Sequence, residues 1–404
     1  MAEDEHTAAT LLGARPLKLF VVAGEHSGDA LGAKLMAALQ ARTLNTRIQF
    51  AGVGGEEMTA AGLQPLFPMH EVAVMGPAHI IPALPRIVRR VYQTVSAAVA
   101  FAPDAVVIID SPEFTHPIAK RIRKRAPGIP IIDYVCPSVW AWRSGRARKM
   151  DHYIDEVMCL LPFEPNALLR LHGPHGIYTG HPLIERLTEI RTADAQGLRA
   201  RLGIAPDRKV LLVLPGSRRS EVERLIGVFG ETVVRLKAEG YDFDVVIPAV
   251  AHIREKIEAA CRRWAGNKHI VSGADKYAAM RLATAALAAS GTVTLELALA
   301  ATPMAVAYKV DALTAAVVRR LITTDTAILA NLVLGEKAFP EFIQQDCTAG
   351  KLSAAVGELL IDTPARAAQL AALARVPDKL KLESGTPSEA AAAAVLAVVA
   401  AAGK

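Results

Sequence analysis

An acidic residue directly follows a short run of β-branched apolar residues. Residues 106–109 (VVII) are typical of a strand buried on both faces of a parallel sheet, and Asp110 follows them before Ser111 and Pro112 turn the chain. Ligands of open α/β sheets bind outside the carboxyl ends of the strands, so Asp110 is a candidate general base. The alternative is that Asp110 or Ser111 only caps the next helix, because both residue types are favoured there.

A polar glycine turn follows the first predicted strand, at residues 17–23. Its sequence, GEHSGD, carries Glu25, Ser27 and Asp29 and leads into a predicted helix. Strand, glycine turn and helix form the opening unit of a doubly wound sheet. The two carboxylates would repel a phosphate, which favours a sugar or another polar ligand. Alternatively, Ser27 serves only as a helix cap.

The same pattern restarts in the second half of the chain. Residues 209–214 predict a strand, and PGSRRSEV then begins a helix that carries Ser217, Arg218 and Arg219 near its start. Arginines beside a helix N-terminus suit an anion, and a diphosphate is a reasonable ligand.

A further glycine turn, SGT, begins a helix after the predicted strand 285–289. The amides of Gly291 and Thr292, which follow Ser290, could face a phosphate, while Glu296 could bind two ribose hydroxyls. The alternative for Glu296 is an acid that only complements the helix dipole.

The composition is that of a folded protein with more than one domain. Of 404 residues, 52% are hydrophobic and 21% charged, which excludes a disordered chain, and the length favours two domains. The net charge of +6 suits an anionic partner. The four cysteines form no CxxC pair and the N-terminus, MAEDEH, lacks the features of a signal peptide, so we expect a reduced, cytoplasmic protein.

Two common kinds of site are disfavoured. The glycine turns do not match GxGxxG, which argues against an NAD-dependent dehydrogenase. His172, His175 and His181 lie in a segment rich in glycine and proline and lack the spacing of metal ligands. We therefore expect neither a metal nor a cofactor.

Two arginine-rich segments could contact an anionic surface. Residues 72–95 combine apolar residues with Arg86, Arg89 and Arg90, as interfacial membrane helices do, although an ordinary amphipathic surface helix shows the same pattern. The run KRIRKR at 120–125 likewise fits either a solvated helix end or an anionic membrane.

Trp140 and Trp142 flank one alanine in YVCPSVWAWR, after a predicted strand at 129–135. Such aromatics beside Arg143 could stack nucleic-acid bases, but no nucleic-acid-binding module surrounds them. We predict a loop over the site, made rigid by Pro137, and no nucleic-acid partner.

The alternation of strands and helices predicts an α/β fold of two doubly wound, Rossmann-like domains facing a central cleft. We expect the first domain at 1–186 and the second at 187–349, with helices at 350–404 completing the first. This architecture occurs in nucleotide-sugar glycosyltransferases and in some epimerases.

Several short motifs together resemble those of the lipid-A-disaccharide synthases, glycosyltransferase family 19. They run from residue 17 to about residue 347 and are, in chain order, GEHSGD, GVGG with Met58, AVMG with Met75, DSPEF, YVCPSVWAWR, LPFE, TGHPL, LPGSR with Glu221, SGTVTLE, and Asn331 followed by Glu341 and Gln344. In this order, YVCPSVWAWR, PGSR and SGTVTLE are highly specific together.

The resemblance implies a GT-B fold and an inverting glycosyltransferase that needs no metal. The family joins UDP-2,3-diacylglucosamine to 2,3-diacylglucosamine 1-phosphate, forms the β-1,6 disaccharide of lipid A and releases UDP. It acts as a peripheral protein on the inner face of the cytoplasmic membrane. The implied partners are therefore this donor, this acceptor and an anionic membrane surface, and a homodimer is left open.

The resemblance also implies roles for individual residues. Asp110 and Glu25 are the implied catalytic residues, with Asp110 as the base for the acceptor 6-hydroxyl; whether it contacts that hydroxyl itself or orients Glu25 or Asp133 stays open. The implied acceptor-side residues are Ser27, Asp29, Met75 and Trp140. The implied UDP-binding residues are Ser217, Arg218, Ser290, Gly291, Thr292, Glu296, Asn331 and Gln344.

Two positions depart from the family pattern. Ala78 and His79 replace a Glu-Val pair, which concerns acyl-chain preference, and Ala330 replaces a proline before Asn331, which should loosen the turn. Two other functions stay open: a UDP-sugar epimerase of the same fold, which would turn over the donor alone, and a non-catalytic basic protein that binds membranes or nucleic acid. The carboxylates beside the glycine turns argue against the latter.

Overall fold

The computed structural model describes residues 15–43, 47–73, 77–311, 322 and 324–403. The described chain divides into two compact units. The first comprises the residues up to Pro182 together with those from Leu382 onward, and the second comprises Leu183–Lys381.

The first unit is built on a seven-stranded parallel sheet with the strand order β3-β2-β1-β4-β5-β6-β7. Its strands are β1 (Leu17–Ala23), β2 (Ile48–Val53), β3 (Gln64–Pro65), β4 (Ala105–Ile109), β5 (Ile131–Tyr134), β6 (Glu156–Cys159) and β7 (His175–Tyr178). Its helices before the second unit are α1 (His26–Arg42), α2 (Glu56–Ala60), α3 (Pro77–Phe101), α4 (Pro112–Arg125), α5 (Gly145–Met150) and α6 (Glu164–Arg170).

The second unit has a six-stranded parallel sheet with the order β10-β9-β8-β11-β12-β13. Its strands are β8 (Lys209–Leu214), β9 (Phe243–Ala249), β10 (Lys268–Ser272), β11 (Ala285–Ala289), β12 (Met304–Tyr308) and β13 (Glu341–Ile343). Its helices are α7 (Leu187–Thr192), α8 (Ala195–Arg201), α9 (Arg219–Ala238), α10 (Ala251–Cys261), α11 (Lys276–Leu282), α12 (Val293–Leu299), α13 (Leu329–Leu334), α14 (Ala349–Leu360) and α15 (Pro364–Leu380). A last helix, α16 (Pro387–Ala402), belongs to the first unit.

The central strands are buried on both faces, as their continuous apolar sequences predict. All five residues of β4 are buried. Val106 and Ile108 pack into one core, and Val107 and Ile109 pack into the core on the opposite face of the sheet. Helices cover both faces, which is the arrangement that parallel sheets require. The prediction of two doubly wound α/β units is therefore confirmed.

The limits of the two units differ from the expected ones. The first crossing lies after Pro182, near the expected position, but the chain returns only at Leu382 rather than at residue 350. Helix α14 packs Leu352 and Val356 into the core of the second unit. Only α16 completes the first unit, where Ala391 and Val395 enter the core beside β1 and β4.

None of the helices in the described part of the chain is long and apolar enough to cross a membrane.

Candidate active site

The strand order of the first sheet reverses between β1 and β4. Such a topological switch point opens a crevice at the carboxyl ends of the two strands, which is where ligands of doubly wound sheets bind. Ala23 at the end of β1 pairs with Ile109 at the end of β4. The turns that follow these strands carry Glu25 and Asp110, so the topology brings the two implied catalytic carboxylates together.

The turn after β4 has an unusual backbone. Asp110 and Ser111 both have positive φ angles, 50° and 45°, in a region that costs non-glycine residues energy. Asp110 N–H donates to the Tyr134 carbonyl at 3.0 Å, and the Thr115 hydroxyl donates to the Asp110 carbonyl at 2.8 Å. These bonds hold the backbone of the strained pair in place.

The glycine turn after β1 packs directly against this strained pair. A Cβ atom at Gly24 would lie 2.8 Å from Ser111 Cβ, so only glycine permits this approach without displacement. Glu25 stands next in the chain, and its Oε1 accepts a hydrogen bond from the exposed Ser27 hydroxyl at 2.7 Å. Ser27 thus holds the Glu25 side chain by a hydrogen bond, and the Glu25 side chain does not cap helix α1.

Burial, followed by the charge and hydrogen bonding of Glu25, raises the pKa of Asp110 to about 6. The Ser111 N–H, which donates to Asp110 Oδ1 at 2.8 Å, acts in the opposite direction. A carboxyl group with such a pKa is ionised at neutral pH and still accepts a proton readily, as a general base must. The pair therefore has the electrostatics of an acid–base site.

Asp29 has a different role from the one expected. Its side chain is only 3% exposed and accepts hydrogen bonds from the backbone N–H groups of Gly55, Glu57 and Met58 at 2.7–3.1 Å. It therefore ties helix α1 to the glycine turn after β2 and caps helix α2. A buried carboxylate with both oxygens engaged cannot bind an acceptor, so we reassign Asp29 to a structural role.

The loop that carries Trp140 and Trp142 is held in place by Glu164. Trp140 Nε1–H donates to Glu164 Oε1 at 3.0 Å, and its ring meets Phe163 edge-on at 5.0 Å between centroids. Glu164 also accepts from the N–H groups of Leu160 and Leu161, and burial raises its pKa to about 7. Trp140 is half-buried, so an acceptor role for it stays a prediction. Met75 lies outside the described residues, as do the side chains of Ala78 and His79.

A buried polar cluster joins helix α4 to strand β5. The sequence singled out only one of its members, Asp133. Asp133, considered above as an alternative base, is 1% exposed and pairs with His116, whose Nε2 lies 3.2 Å from Asp133 Oδ2. The other ring nitrogen of His116 is 2.9 Å from the Tyr153 hydroxyl. His116 lies on the buried face of α4, where a sequence pattern indicates only core packing. The burial of Asp133 leaves Asp110 and Glu25 as the accessible pair.

The second sheet also reverses its order, between β8 and β11. The turns after these strands line a cavity of about 500 Å³. Six of the eight residues implied for UDP binding line this cavity, namely Ser217, Arg218, Ser290, Gly291, Thr292 and Glu296. The topology therefore gathers residues that lie more than 70 positions apart in the chain.

One wall of the cavity is the turn before α9. Gly216 has φ +116°, and a Cβ atom there would lie 2.6 Å from Glu221 Cβ. The Glu221 carboxylate accepts from the N–H groups of Ser217 and Arg218 at 3.2 and 3.3 Å, and it also pairs with the Arg218 guanidinium at 3.4 Å. Arg218 itself is 65% exposed, so its remaining donors are available to a ligand.

The other wall carries Glu296 and two partners that the sequence did not single out. The Lys276 Nζ donates to Glu296 Oε1 at 2.7 Å and the Tyr277 hydroxyl donates to the same oxygen at 3.2 Å. Both bonds hold one carboxylate oxygen and orient the other. The only sequence signal was their position at the start of α11, one short turn after β10. Ser290 is mainly structural, since its hydroxyl donates to the Ala327 carbonyl at 2.6 Å.

Asn331 and Gln344 do not line this cavity. Asn331 is 1% exposed. Its side-chain N–H donates to the Phe339 carbonyl, and its Oδ1 accepts from the Phe339 N–H, both at 3.0 Å. Direct contact between this side chain and UDP is incompatible with such burial, so we reassign Asn331 to holding the loop before β13. Gln344 Oε1 accepts from the Val310 N–H at 3.1 Å, and a donor role for it stays a prediction.

Within the described part of the chain, one group of side chains is close enough to hold a metal ion: Cys136, Cys159 and Glu164. Glu164 already accepts hydrogen bonds from Trp140 and two backbone N–H groups, and a hydrogen bond with Cys159, followed by burial, raises the pKa of the Cys136 thiol. This donor set fits a structural role. His175 instead pairs with Glu156 at 2.9 Å, and burial lowers the pKa of His181 to about 4.

Comparison with solved structures defines the class of fold. UDP-GlcNAc 2-epimerase from Neisseria meningitidis bound to UDP-GlcNAc aligns with a TM-score of 0.63 at 14% identity, covering 94% of this chain and 99% of that one. A glycosyltransferase from Rickettsia africae aligns with a TM-score of 0.57 at 10% identity, covering 96% and 98%. The protein thus has the two-domain α/β fold of GT-B glycosyltransferases and of UDP-sugar epimerases.

Sequence comparison identifies the family. A family model described as lipid-A-disaccharide synthetase matches residues 19–395. The lipid-A-disaccharide synthases of Rhodopseudomonas palustris strain HaA2 and Nitrobacter winogradskyi are each 49% identical, covering 95% and 94% of this chain and 96% and 95% of theirs. The chain belongs to the lipid-A-disaccharide synthase family and is a glycosyltransferase. The epimerase alternative is not favoured, because that likeness extends only to the fold.

Proposed function

We propose that the protein joins UDP-2,3-diacylglucosamine to 2,3-diacylglucosamine 1-phosphate, yielding the β-1,6-linked disaccharide 1-phosphate of lipid A and UDP. Family membership over nearly the whole chain supports the reaction. The placement of Asp110 and Glu25 at the switch point of the first sheet is the structural observation that carries it.

In this mechanism Asp110 accepts the proton of the acceptor 6-hydroxyl while that oxygen attacks the anomeric carbon of the donor. The bond between the anomeric carbon and the diphosphate oxygen breaks, and configuration at that carbon inverts. Burial, and then the charge and hydrogen bond of Glu25, raise the proton affinity of Asp110. The strained backbone of Asp110 and Ser111 holds the base in place before the substrate arrives.

The donor occupies the cavity of the second unit. Arg218 stands at the N-terminus of α9, a helix of 20 residues, so its charge and the helix dipole both counter the negative charge that develops on UDP as it leaves. Glu296, oriented by Lys276 and Tyr277, binds ribose hydroxyls with its second oxygen.

We also place the protein on an anionic membrane surface at the cytoplasmic face. Helix α3 exposes Leu84, Val88 and Tyr92 at 52%, 44% and 47%, at a spacing of four residues that puts them on one side. Arg86 and Arg89 are exposed on the same helix. An apolar stripe beside arginines suits the boundary between acyl chains and anionic headgroups.

The reaction is tested by incubating the purified protein with UDP-diacylglucosamine, with and without diacylglucosamine 1-phosphate, and following both products by mass spectrometry. We expect disaccharide and UDP in equal amounts, and only when the acceptor is present. Turnover of the donor alone into an isomeric UDP-sugar would instead identify an epimerase. Defined acyl chains in the same assay measure the chain preference.

Replacement of Arg218 by Gln should weaken UDP binding by about 5- to 10-fold, as expected for a charged hydrogen bond reduced by solvent screening. Isothermal titration with UDP measures the effect. The neighbouring Arg219→Gln is the matched control, because Arg219 is 79% exposed, pairs with Glu223 and does not line the cavity. Equal UDP affinities in the two variants would refute the role of Arg218.

The pH dependence of kcat/KM should report Asp110. A base works only when ionised, so the rate should fall as the pH drops through about 6, the raised pKa of Asp110. Glu25→Gln removes a charge and a hydrogen bond that raise this pKa, so it should move the acid limb to lower pH. The exposed Glu56→Gln is the control. An acid limb that Glu25→Gln leaves in place would contradict this coupling.

A further inference from the structure

A cluster of positive charges lies beside the turn that carries Asp110. We define the cation cluster as Lys120, Arg121, Arg143, Arg146 and Lys149, with Glu113 among them. Burial, and then the charges of Arg146, Lys149 and Arg121, lower the pKa of Lys120, while Glu113 acts in the opposite direction. The local surplus of positive charge is therefore large, and a single carboxylate does not neutralise it.

Two members of the cluster converge on one oxygen. Arg146 Nη2 lies 3.0 Å and Arg143 Nη1 lies 3.8 Å from Glu113 Oε1. The Glu113 side chain is 77% exposed, whereas Arg146 is only 22% exposed. Two guanidinium groups carry ten N–H donors between them, and Glu113 Oε1 lies near one nitrogen of each. The Arg143 side chain is 52% exposed, so the donors that Glu113 does not engage are open to a ligand.

The position of Arg143 is preorganised. Its backbone has φ +52°, and its guanidinium lies 4.3 Å from the centroid of the Trp142 ring. A left-handed backbone at a non-glycine residue costs energy, and such strain clusters at ligand sites. The stack on Trp142 restricts the guanidinium further, so less entropy is lost when it binds an anion.

The residue on which the two arginines converge is close to the proposed base along the chain. Glu113, the residue on which the two arginines converge, lies in the first turn of α4, and that helix begins immediately after Asp110 and Ser111. An acceptor whose hydroxyl meets Asp110 can therefore place its far end beside this first turn. On the proposed reaction, the group at that far end is a phosphate monoester.

Resting on the proposed function, we propose that Arg143 and Arg146 bind the phosphate monoester of the acceptor sugar. The planar guanidinium forks suit a dianionic phosphate, with Lys120 and Lys149 adding long-range attraction. The donor diphosphate has its own cation, Arg218, in the second unit. The site therefore distinguishes a phosphorylated acceptor from an unphosphorylated one and orients the 6-hydroxyl toward Asp110.

The decisive measurement compares two acceptors, diacylglucosamine 1-phosphate and diacylglucosamine, in neutral detergent micelles that contain no anionic lipid. We expect Arg143→Gln to raise KM for the phosphorylated acceptor about 5- to 20-fold, with KM for the other acceptor unchanged. The exposed Arg170→Gln, in the same unit, should change neither value. Arg143→Lys keeps the charge but loses the fork, so it should give an intermediate KM.

Several results would overturn the assignment. Equal changes for both acceptors would mean that Arg143 acts only on the structure of the loop. An effect seen only on vesicles of anionic phospholipid, and absent in neutral micelles, would assign the cluster to lipid headgroups. Thermal unfolding and the affinity for UDP should be unchanged in Arg143→Gln, which separates binding from folding.

A direct titration tests the site even if the proposed reaction fails. Tryptophan fluorescence is followed while glucosamine 1-phosphate or glucosamine is added, because Trp142 lies against Arg143. We expect saturable binding of the phosphate alone, weakened by Arg143→Gln and by Arg146→Gln. Absence of saturation with the wild-type protein would refute the phosphate site, whereas binding without sugar transfer would refute only the proposed reaction.

Discussion

The Asp110→Asn variant should transfer sugar about 10²- to 10⁴-fold more slowly than the wild type, which is the usual contribution of a general base. Asparagine keeps the size of the side chain and an oxygen that accepts from the Ser111 N–H at 2.8 Å, so the strained turn should survive. It cannot take the proton of the acceptor hydroxyl at neutral pH. The measurement is kcat with both substrates saturating in detergent micelles.

The fold and the donor site serve as internal controls for this variant. Titration with UDP should give the wild-type affinity, because the donor cavity belongs to the second unit. The exposed Asp151→Asn should retain full turnover. Turnover of Asp110→Asn within a few-fold of wild type would eliminate Asp110 as the base. A larger loss in Glu25→Gln than in Asp110→Asn would transfer that role to Glu25.

Asp29→Ala should destabilise the first unit by about 3 kcal/mol or more. The substitution leaves three backbone N–H groups without their acceptor: that of Met58, which is buried, and those of Gly55 and Glu57, which are partly buried. An unsatisfied buried donor costs about 1–3 kcal/mol, and the loss of a helix cap adds about 1 kcal/mol. In a domain of this size, 3 kcal/mol lowers Tm by about 6–12 °C. Thermal unfolding followed by circular dichroism measures the change.

The same variant separates a structural role from a binding role. At a temperature where Asp29→Ala is still folded, KM for the acceptor should be close to the wild-type value. The neighbouring Ser27→Ala removes an exposed hydroxyl that supports only Glu25, so it should leave Tm nearly unchanged. A variant of Asp29 with normal Tm and a strongly raised acceptor KM would restore the binding role.

The sequence predicts this fold well where the signal is local. The continuous apolar runs of β4 and β8 specify strands buried on both faces, and the residues that follow them mark the carboxyl ends of the sheets. Because ligands bind at those ends, the sequence alone identifies Asp110 and Arg218 as candidate site residues. The two switch points then fall where these strands meet β1 and β11.

Roles that depend on distant partners could not be predicted in this way. Asp29 and Asn331 are polar residues within motifs, and nothing local reveals that Gly55 or Phe339 occupies their hydrogen-bonding groups. Lys276 shows the converse, since it lies outside every recognised motif and still orients Glu296. These polar residues gain their function from partners that the fold brings to them, and the order of the chain does not show those partners.

Helix α16 is the last helix in the chain but belongs to the first unit, which affects the order in which the two units can finish folding. Domains usually fold from the N-terminus as the ribosome releases them. Here the first unit must wait until all of the second has been synthesised, because Ala391, Val395 and Val399 of α16 complete its core beside β1 and β4. During that interval the apolar face of the first sheet that α16 covers lacks its helix.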